Sequence, residues 1–311
     1  MRVLVTGASG FLGSHVVDAL RERGHDVVAP ARSRDALRSA SAAREMLDTS
    51  PRADVVVHVA GLSGGLGMCK ALGERMYAEN VGGITVIDAI KGMRERPALV
   101  TIGHMCMYGV DAAQPYRECD VLRGELDAVT RWYGQAKRDV YLAMLAARER
   151  ELRAVCVIPT NLYGPRDAFG DPLKSHAAGA MIERYVQGAR EKATTLTNWG
   201  TGSAVRDFLF VEDAARGIAL AAEHVDALNA AGHTAINLSG PAEVSIRELA
   251  AASSTATGFA GQTLWDASKP DGVARRVLDA SLARRVLGWK AQVDVSQGVA
   301  RTAAWLTART G

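Results

Sequence analysis

Short apolar runs alternate along the first half of the chain with longer stretches in which apolar positions return every three or four residues. The runs are "RVLVT" (2–6), "HDVVAPA" (25–31), "DVVVHVA" (54–60), "ALVTIG" (98–103) and "RAVCVIP" (153–159). They are rich in valine and nearly continuous in apolar character, as strands covered on both faces of a parallel sheet must be. The intervening stretches predict helices over roughly 11–23, stopped by Gly24, over 74–94, and over a long segment near 130–150. Strands alternating with helices in this way predict an α/β fold, a doubly wound parallel sheet of the Rossmann type. After "NLYGPRDAFGDP", crowded with turn formers around Asp167, the texture changes. Helices near 175–191, 245–257 and 281–309 and a strand "TAINLSG" (234–240) are predicted there. The expected division is a Rossmann domain over 1–165 with a returning segment about 205–240, and a smaller α/β substrate domain over 166–204 and 241–311.

Composition narrows the class. The chain has 311 residues, 48% hydrophobic and 23% charged, and a formal charge of +3 spread without any block of one sign. No nucleic-acid or membrane partner is expected from such a balance. Cys69, Cys106, Cys119 and Cys156 form no CxxC pair and have no secretory context, so reduced thiols, no metal site and a cytoplasmic location are expected. "MRVLVTGASG" reads as a first strand, too short and glycine-broken for a signal peptide.

The chemistry begins in "VLVTGASGFLGSHVV", where Gly7, Gly10 and Gly13 stand at GxxGxxG spacing between a strand and a helix, with Ser9, Phe11 and Leu12 among them. Glycines there allow a tight turn and a close approach of backbone to a pyrophosphate, and the helix N-terminus supplies oriented amides. A dinucleotide site is the reading. Where an NAD site carries an acid after the second strand, this chain has "ARSRD", and the guanidinium groups of Arg32 and Arg34 suit a 2′-phosphate. The cofactor expected is NADP(H). "YGQAK" sets Tyr133 and Lys137 four apart on one helical face, where a nearby ammonium would favour phenolate and let the tyrosine exchange a proton with a carbonyl oxygen. Extended geometry through "TIGHMCMYG" (101–109) would turn His104, Cys106 and Tyr108 to one face and the two methionines to the other.

Together with "MCMYG", "IPTNLYGPRDAF", "KSHAAGAMIER", "NWGTGSAVRDFLFVEDAA" and "WDASKPDG", these motifs give the chain a resemblance, over almost its whole length, to the extended short-chain dehydrogenase/reductase family. It resembles most the NADPH-dependent epimerase/reductases of that family that act on GDP-linked 4-keto-6-deoxy sugars. The resemblance implies that the glycine loop cradles the pyrophosphate and that Arg32 and Arg34 sit by the 2′-phosphate. Ile102 to Met105, with Gly103 among them, and Pro159 to Leu162, with Asn161 among them, would line the nicotinamide side. Tyr133 and Lys137 would serve hydride transfer, and Lys137 would also hold the nicotinamide ribose. Cys106 and His176 match an acid/base pair for epimerisation, with His176 also beside the cofactor, and Arg184, Trp199, Arg206 and Asp271 match positions that hold the nucleotide sugar. His104 replaces a serine that binds the C4 oxygen in the family, and its imidazole could donate a hydrogen bond or act as a third acid/base.

The residue types fit such chemistry. A 4-ketone acidifies the protons on C3 and C5, and inversion needs two groups that exchange protons on opposite faces of the ring. A thiol (pKa about 8.5) and an imidazole (about 6.5) both lie within reach of neutral pH. The expected activity is therefore an NADP(H)-dependent nucleotide-sugar epimerase/reductase acting on a 4-keto-6-deoxy hexose. Two alternatives stay open: a relative keeping only reduction or only epimerisation, and a catalytically silent NADP-binding regulatory protein. Asp213 in "FVEDAA" reads as a helix-start residue. A homodimer through the long helices is expected by analogy.

Overall fold

The computed structural model describes residues 1–30, 37–50, 52–171 and 173–310. The strands are β1 (Arg2–Thr6), β2 (Asp26–Val28), β3 (Val55–His58), β4 (Ala98–Ile102), β5 (Ala154–Pro159), β6 (Leu162–Tyr163), β7 (Thr195–Trp199), β8 (Val205–Arg206), β9 (Leu209–Phe210), β10 (Ala235–Leu238), β11 (Val244–Ser245), β12 (Gln262–Asp266) and β13 (Arg275–Arg276). Six form one parallel sheet in the order β2-β1-β3-β4-β5-β10. Chain order reverses at β1, which lies between β2 and β3, and a crevice for ligands opens beyond the strand ends at such a point.

Side-chain alternation explains why both faces are covered. Val3 and Val5, Val55 and Val57, Val100 and Ile102 turn toward the helices Phe11–Glu22 and Val211–Glu223, whose small residues Ala214, Ala215 and Ala219 admit close packing. Leu4, Val56, Leu99 and Ile158 turn the other way, toward Ile87 and Ile90 of helix Gly82–Lys91 and Val140 and Met144 of helix Arg131–Arg148. The doubly wound parallel sheet predicted from the sequence is present.

A third core joins Ile182 and Tyr185 of helix Ala177–Arg190, Leu249 of helix Ile246–Thr257, and Val299 and Leu306 of helix Val295–Thr310. Small sheets accompany it: β7 with β12, and β8 between β11 and β13. Helix Ile246–Thr257 starts with a capping box between Ser245 and Glu248 and ends at Gly258 with φ of 66°.

Two predicted helices are divided, and two further helices are added. The helix foreseen over 74–94 divides at Val81 into Gly73–Asn80 and Gly82–Lys91, beside a glycine pair where a Cβ on Gly83 would come within 2.7 Å of Val140. The helix foreseen over 281–309 is two, Ser281–Leu287 and Val295–Thr310, because Gly288 takes a left-handed conformation and closes the first. Helices Ala40–Thr49, capped by Ser39, and Leu66–Ala71 were not predicted. Between the two C-terminal helices Trp289 is buried in the first core and its Nε1 donates to the Asp213 carbonyl at 3.0 Å. The Asp213 carboxylate accepts from the backbone N–H groups of Gln292 and Val293, each at 2.8 Å. Its helix-start, structural reading holds.

Candidate active site

A cavity of about 970 Å³ opens at the C-terminal ends of β1, β3, β4 and β5, the crevice that the strand order creates. Each strand sends one loop into its wall: Gly7 to Gly13, Val59 to Ser63, Gly103 and His104, and Thr160 to Leu162. Tyr133 and Lys137 reach it from helix Arg131–Arg148, and Asp167, Lys174 and His176 from the segment before helix Ala177–Arg190.

The glycine loop is a cradle that side chains would fill. Gly7 has φ of 73°, and a Cβ there would lie 2.7 Å from the Cα of Ala60. A Cβ on Gly13 would come within 2.0 Å of the Gly7 carbonyl oxygen. Gly10 is the N-cap of helix Phe11–Glu22 and has no side chain to accept from the first-turn amides. Such a terminus fits an anion, and a pyrophosphate matches the loop and the cavity volume. Gly7, Ser9, Gly10, Phe11, Leu12, Gly13, Ile102, Gly103, Pro159, Asn161 and Leu162 all line it. Arg32 and Arg34 lie outside the described residues. Met105 does not line the cavity but packs in the second core.

Tyr133 and Lys137 share a face, with Nζ 5.6 Å from the tyrosine ring centroid. Burial pushes Lys137 down to about 8. Burial first, then the neighbouring Cys106, raise the Tyr133 hydroxyl above its ordinary range, and the nearby Ser63 side chain opposes them. The expectation of a favoured phenolate is corrected: desolvation outweighs the ammonium, and Tyr133 holds its proton. A protonated phenol is the form that can donate to a developing alkoxide.

The strand geometry expected through residues 101–109 ends at Ile102. Met105–Met107 form a turn of 3-10 helix, and His104 caps it, its Nδ1 accepting the Cys106 amide at 3.1 Å. Because an amide N–H can only donate, Nδ1 carries the lone pair and the proton resides on Nε2. Burial, followed by the nearby His176, Lys137 and Arg276, lowers His104 to about 3. The reading of His104 as a possible third acid/base is corrected: it is a neutral hydrogen-bond donor at the cavity wall, its ring centroid 5.2 Å from that of Tyr133. Cys106 is buried and absent from the cavity wall. Burial raises its thiol, against a weaker lowering by Arg276 and the Thr130 hydroxyl.

His176 occupies the N-cap position of helix Ala177–Arg190, yet its ring makes no capping bond. Its Nε2 lies 3.1 Å from the Ser63 hydroxyl, and burial lowers its pKa. Sequence reasoning overlooked Ser63, which stands 113 residues away in the chain in a glycine-rich loop without periodic signal. It also overlooked Arg138, whose guanidinium donates to the carbonyls of Met107 (2.7 Å), Val121 (3.1 Å), Gly124 (3.1 Å) and Arg123 (2.7 Å) and so fixes the turn that carries Cys106.

The four sugar-nucleotide candidates gather apart from the cavity wall, around β7 and the turn after it. Arg184 donates to the Thr197 carbonyl at 3.1 Å and to Asn198 Oδ1 at 2.5 Å, and its buried Nε has no hydrogen-bond partner among the described residues. Trp199 is 72% exposed at the end of β7. Asp271 accepts from the amide and hydroxyl of Thr201, both at 2.7 Å, and from Gly202 N at 3.2 Å, holding the turn. Arg206 Nη1 donates to its neighbour's carbonyl at 2.7 Å. No described helix is long and apolar enough to cross a membrane.

The sequence profile of the NAD dependent epimerase/dehydratase family matches residues 3–238. The chain belongs to that family and is an enzyme of the nucleotide-sugar epimerase/reductase class. It is similar to a probable GDP-L-fucose synthase 1 of Oryza sativa subsp. japonica, 32% identical over 98% of this chain and 91% of that one. It is likewise similar to the GDP-L-fucose synthase of Escherichia coli K12, 31% identical over 98% and 96%. A GDP-6-OMe-4-keto-L-xylo-heptose reductase from C. jejuni shares the fold, with a TM-score of 0.86 over 99% of this chain and 98% of that one at 21% identity.

Proposed function

We propose that the protein uses NADP(H) to epimerise and reduce a 4-keto-6-deoxy hexose carried on GDP. The observation that carries this reading is the convergence of protonated Tyr133, Lys137, neutral His104 and His176 on one cavity whose far end is the glycine cradle. The GDP-L-fucose synthase relatives support the substrate class, and NADP bound in related structures supports the cofactor. When bound, NADPH supplies hydride. The glycine loop would hold its pyrophosphate, Arg32 and Arg34 its 2′-phosphate, and Lys137 its ribose. Tyr133 gives its proton to the C4 oxygen, and the Nε2–H of His104 holds that oxygen in place of a serine hydroxyl. Cys106 and His176, brought from different elements, move the C3 and C5 protons, while Arg184, Trp199, Arg206 and Asp271 hold the nucleotide. The substrate domain of 166–204 and 241–311 presents that second group, and two copies pair through the helix bearing exposed Trp132 and Leu142.

A second reading, reduction without full epimerisation, is favoured by one observation: the Cys106 thiol is buried, raised and off the cavity wall. Incubation with NADPH and GDP-4-keto-6-deoxy-D-mannose in heavy water separates the readings. Nicotinamide oxidation with deuterium at C3 and C5 is the expected result. Oxidation without deuterium leaves the reductase alone, and the absence of both signals overturns the proposal.

A further inference from the structure

His176 stands at the start of helix Ala177–Arg190 without capping it, and one of its ring nitrogens is engaged: Nε2, 3.1 Å from the Ser63 hydroxyl. Nδ1 has no hydrogen-bond partner among the described residues. Both side chains line the cavity, and both main chains are fixed. The loop of Ser63 is pinned on either side, where Asn80 Nδ2 donates to the Leu62 carbonyl at 2.8 Å and the Gly65 amide donates to the Leu173 carbonyl at 3.2 Å. The second bond ties the loop to the segment that carries His176, so closely that a Cβ on Gly65 would lie 2.4 Å from the Ser175 carbonyl oxygen. Ser175 in turn donates from its amide to the Asp171 carbonyl at 2.8 Å and from its hydroxyl to the Ala168 carbonyl. The His176 carbonyl accepts the Ala180 amide at 2.8 Å as the helix begins. What remains free is the imidazole's own rotation, and among the described residues the bond to Ser63 is the one hydrogen bond that fixes it.

We infer that Ser63 is a positioning residue that holds Nε2 of His176 and leaves Nδ1 as the nitrogen that exchanges a proton with the sugar. The inference rests on the epimerase reading and deepens it, adding a residue outside the motifs and an orientation for the imidazole. Two arguments set the sense of the bond. The Ser63 oxygen offers an acceptor to a proton on Nε2, whereas no described group offers one to a proton on Nδ1, so the neutral ring carries its proton on Nε2. Nδ1, the ring nitrogen nearer the backbone, also lies at the positive end of the helix, whose field favours a lone pair over a proton there. In the epimerising step Nδ1 takes the proton from a carbon beside the 4-ketone, and the C–H electron pair passes into the enolate. Nε2–H stays on Ser63 while the imidazolium lasts. A proton delivered to the opposite face of that carbon by Cys106 completes the inversion, and solvent returns one to the thiolate as Nδ1 releases its own.

The test has two arms. In the ligand-free protein at pH 8, 15N NMR of labelled histidine should show the His176 ring, assigned by its loss in His176→Gln, as a single tautomer with the proton on Nε2. In Ser63→Ala the ring should divide between tautomers, and Ser63→Thr should restore the single form. A proton on Nδ1 in the wild-type protein, or the same single tautomer in Ser63→Ala, overturns the inference whatever the enzyme's substrate. With NADPH and GDP-4-keto-6-deoxy-D-mannose in heavy water, Ser63→Ala should lower kcat for deuterium entry beside the ketone about 10- to 100-fold, with KM within about twofold and the rate recovered in Ser63→Thr. Deuterium entry at the wild-type rate, or a loss carried by KM alone, overturns it equally. If the wild-type protein neither exchanges nor reduces the keto sugar, the functional reading fails and the tautomer still decides the role of Ser63.

Discussion

The two ends of the cavity are built on different principles. At the glycine end the anion-binding groups are backbone amides at the start of helix Phe11–Glu22, placed by loop geometry and unable to titrate. At the Tyr133 end five side chains are displaced from their ordinary behaviour by burial: Tyr133 and Cys106 upward, Lys137, His104 and His176 downward. Binding by backbone tolerates any pH but no added atom. Chemistry by buried side chains tolerates small changes of shape but depends on which of them carries a proton.

Substitutions at the two ends should therefore fail in different ways. The largest effect is expected from Tyr133→Phe, which removes the proton donor and should lower kcat by about 10²- to 10⁴-fold while nucleotide affinity, measured by fluorescence titration, stays within about twofold. An equal loss of affinity would mean the two ends are not separable. Next, Gly13→Ala places a methyl 2.0 Å from the Gly7 carbonyl, where backbone must yield. Dinucleotide binding should weaken at least about tenfold, and the fold should lose ~1–3 kcal/mol in denaturant titration.

Lys137 offers a sharper contrast, between stability and activity. Its folded pKa of about 8 lies below the unfolded value near 10.5, so the unfolded chain binds more protons between these limits and stability rises with pH across them. Lys137→Met should stabilise the ligand-free protein at pH 7 by up to ~3 kcal/mol, flatten that rise, and abolish reduction. A destabilised variant would show that the ammonium is not costly where it lies. The smallest effect concerns His104 and buried His58, both lowered to about 3. Each is neutral in the fold, so each contributes stability that is present above pH 6.5 and lost as pH falls toward 3. His104→Asn keeps the Nδ1-like acceptor for the Cys106 amide and should retain the fold near neutrality, whereas the neutral tautomer itself is checked by 15N NMR of the ring from pH 5 to 8, where no titration is expected.

How much of this was legible in the sequence follows the same divide. Valine-rich runs gave away the strands because burial on both faces leaves a continuous apolar signal, and GxxGxxG and the four-residue spacing of Tyr133 and Lys137 are local geometry written in local sequence. The turn at Met105–Met107 spans three residues and has no period, so alternation misdirected Cys106. The contact between Ser63 and His176 joins loops from two cores, and no spacing rule reaches that far. Protonation states were misjudged at Tyr133 because desolvation depends on what covers a residue, which only packing reveals.

The tie at Asp213 has a consequence for building hybrids of such enzymes. Trp289 and the amides of Gln292 and Val293 are fastened to the helix that shields the large sheet, and Ala283 and Leu287 are packed in the same core. A chimaera that exchanged everything after residue 240 for a relative's segment would replace part of the cover of the large sheet along with the C-terminal lobe. The segment 281–293 must travel with its own Val211–Glu223 helix, so the lobes of this enzyme are not interchangeable parts divided by a single crossover.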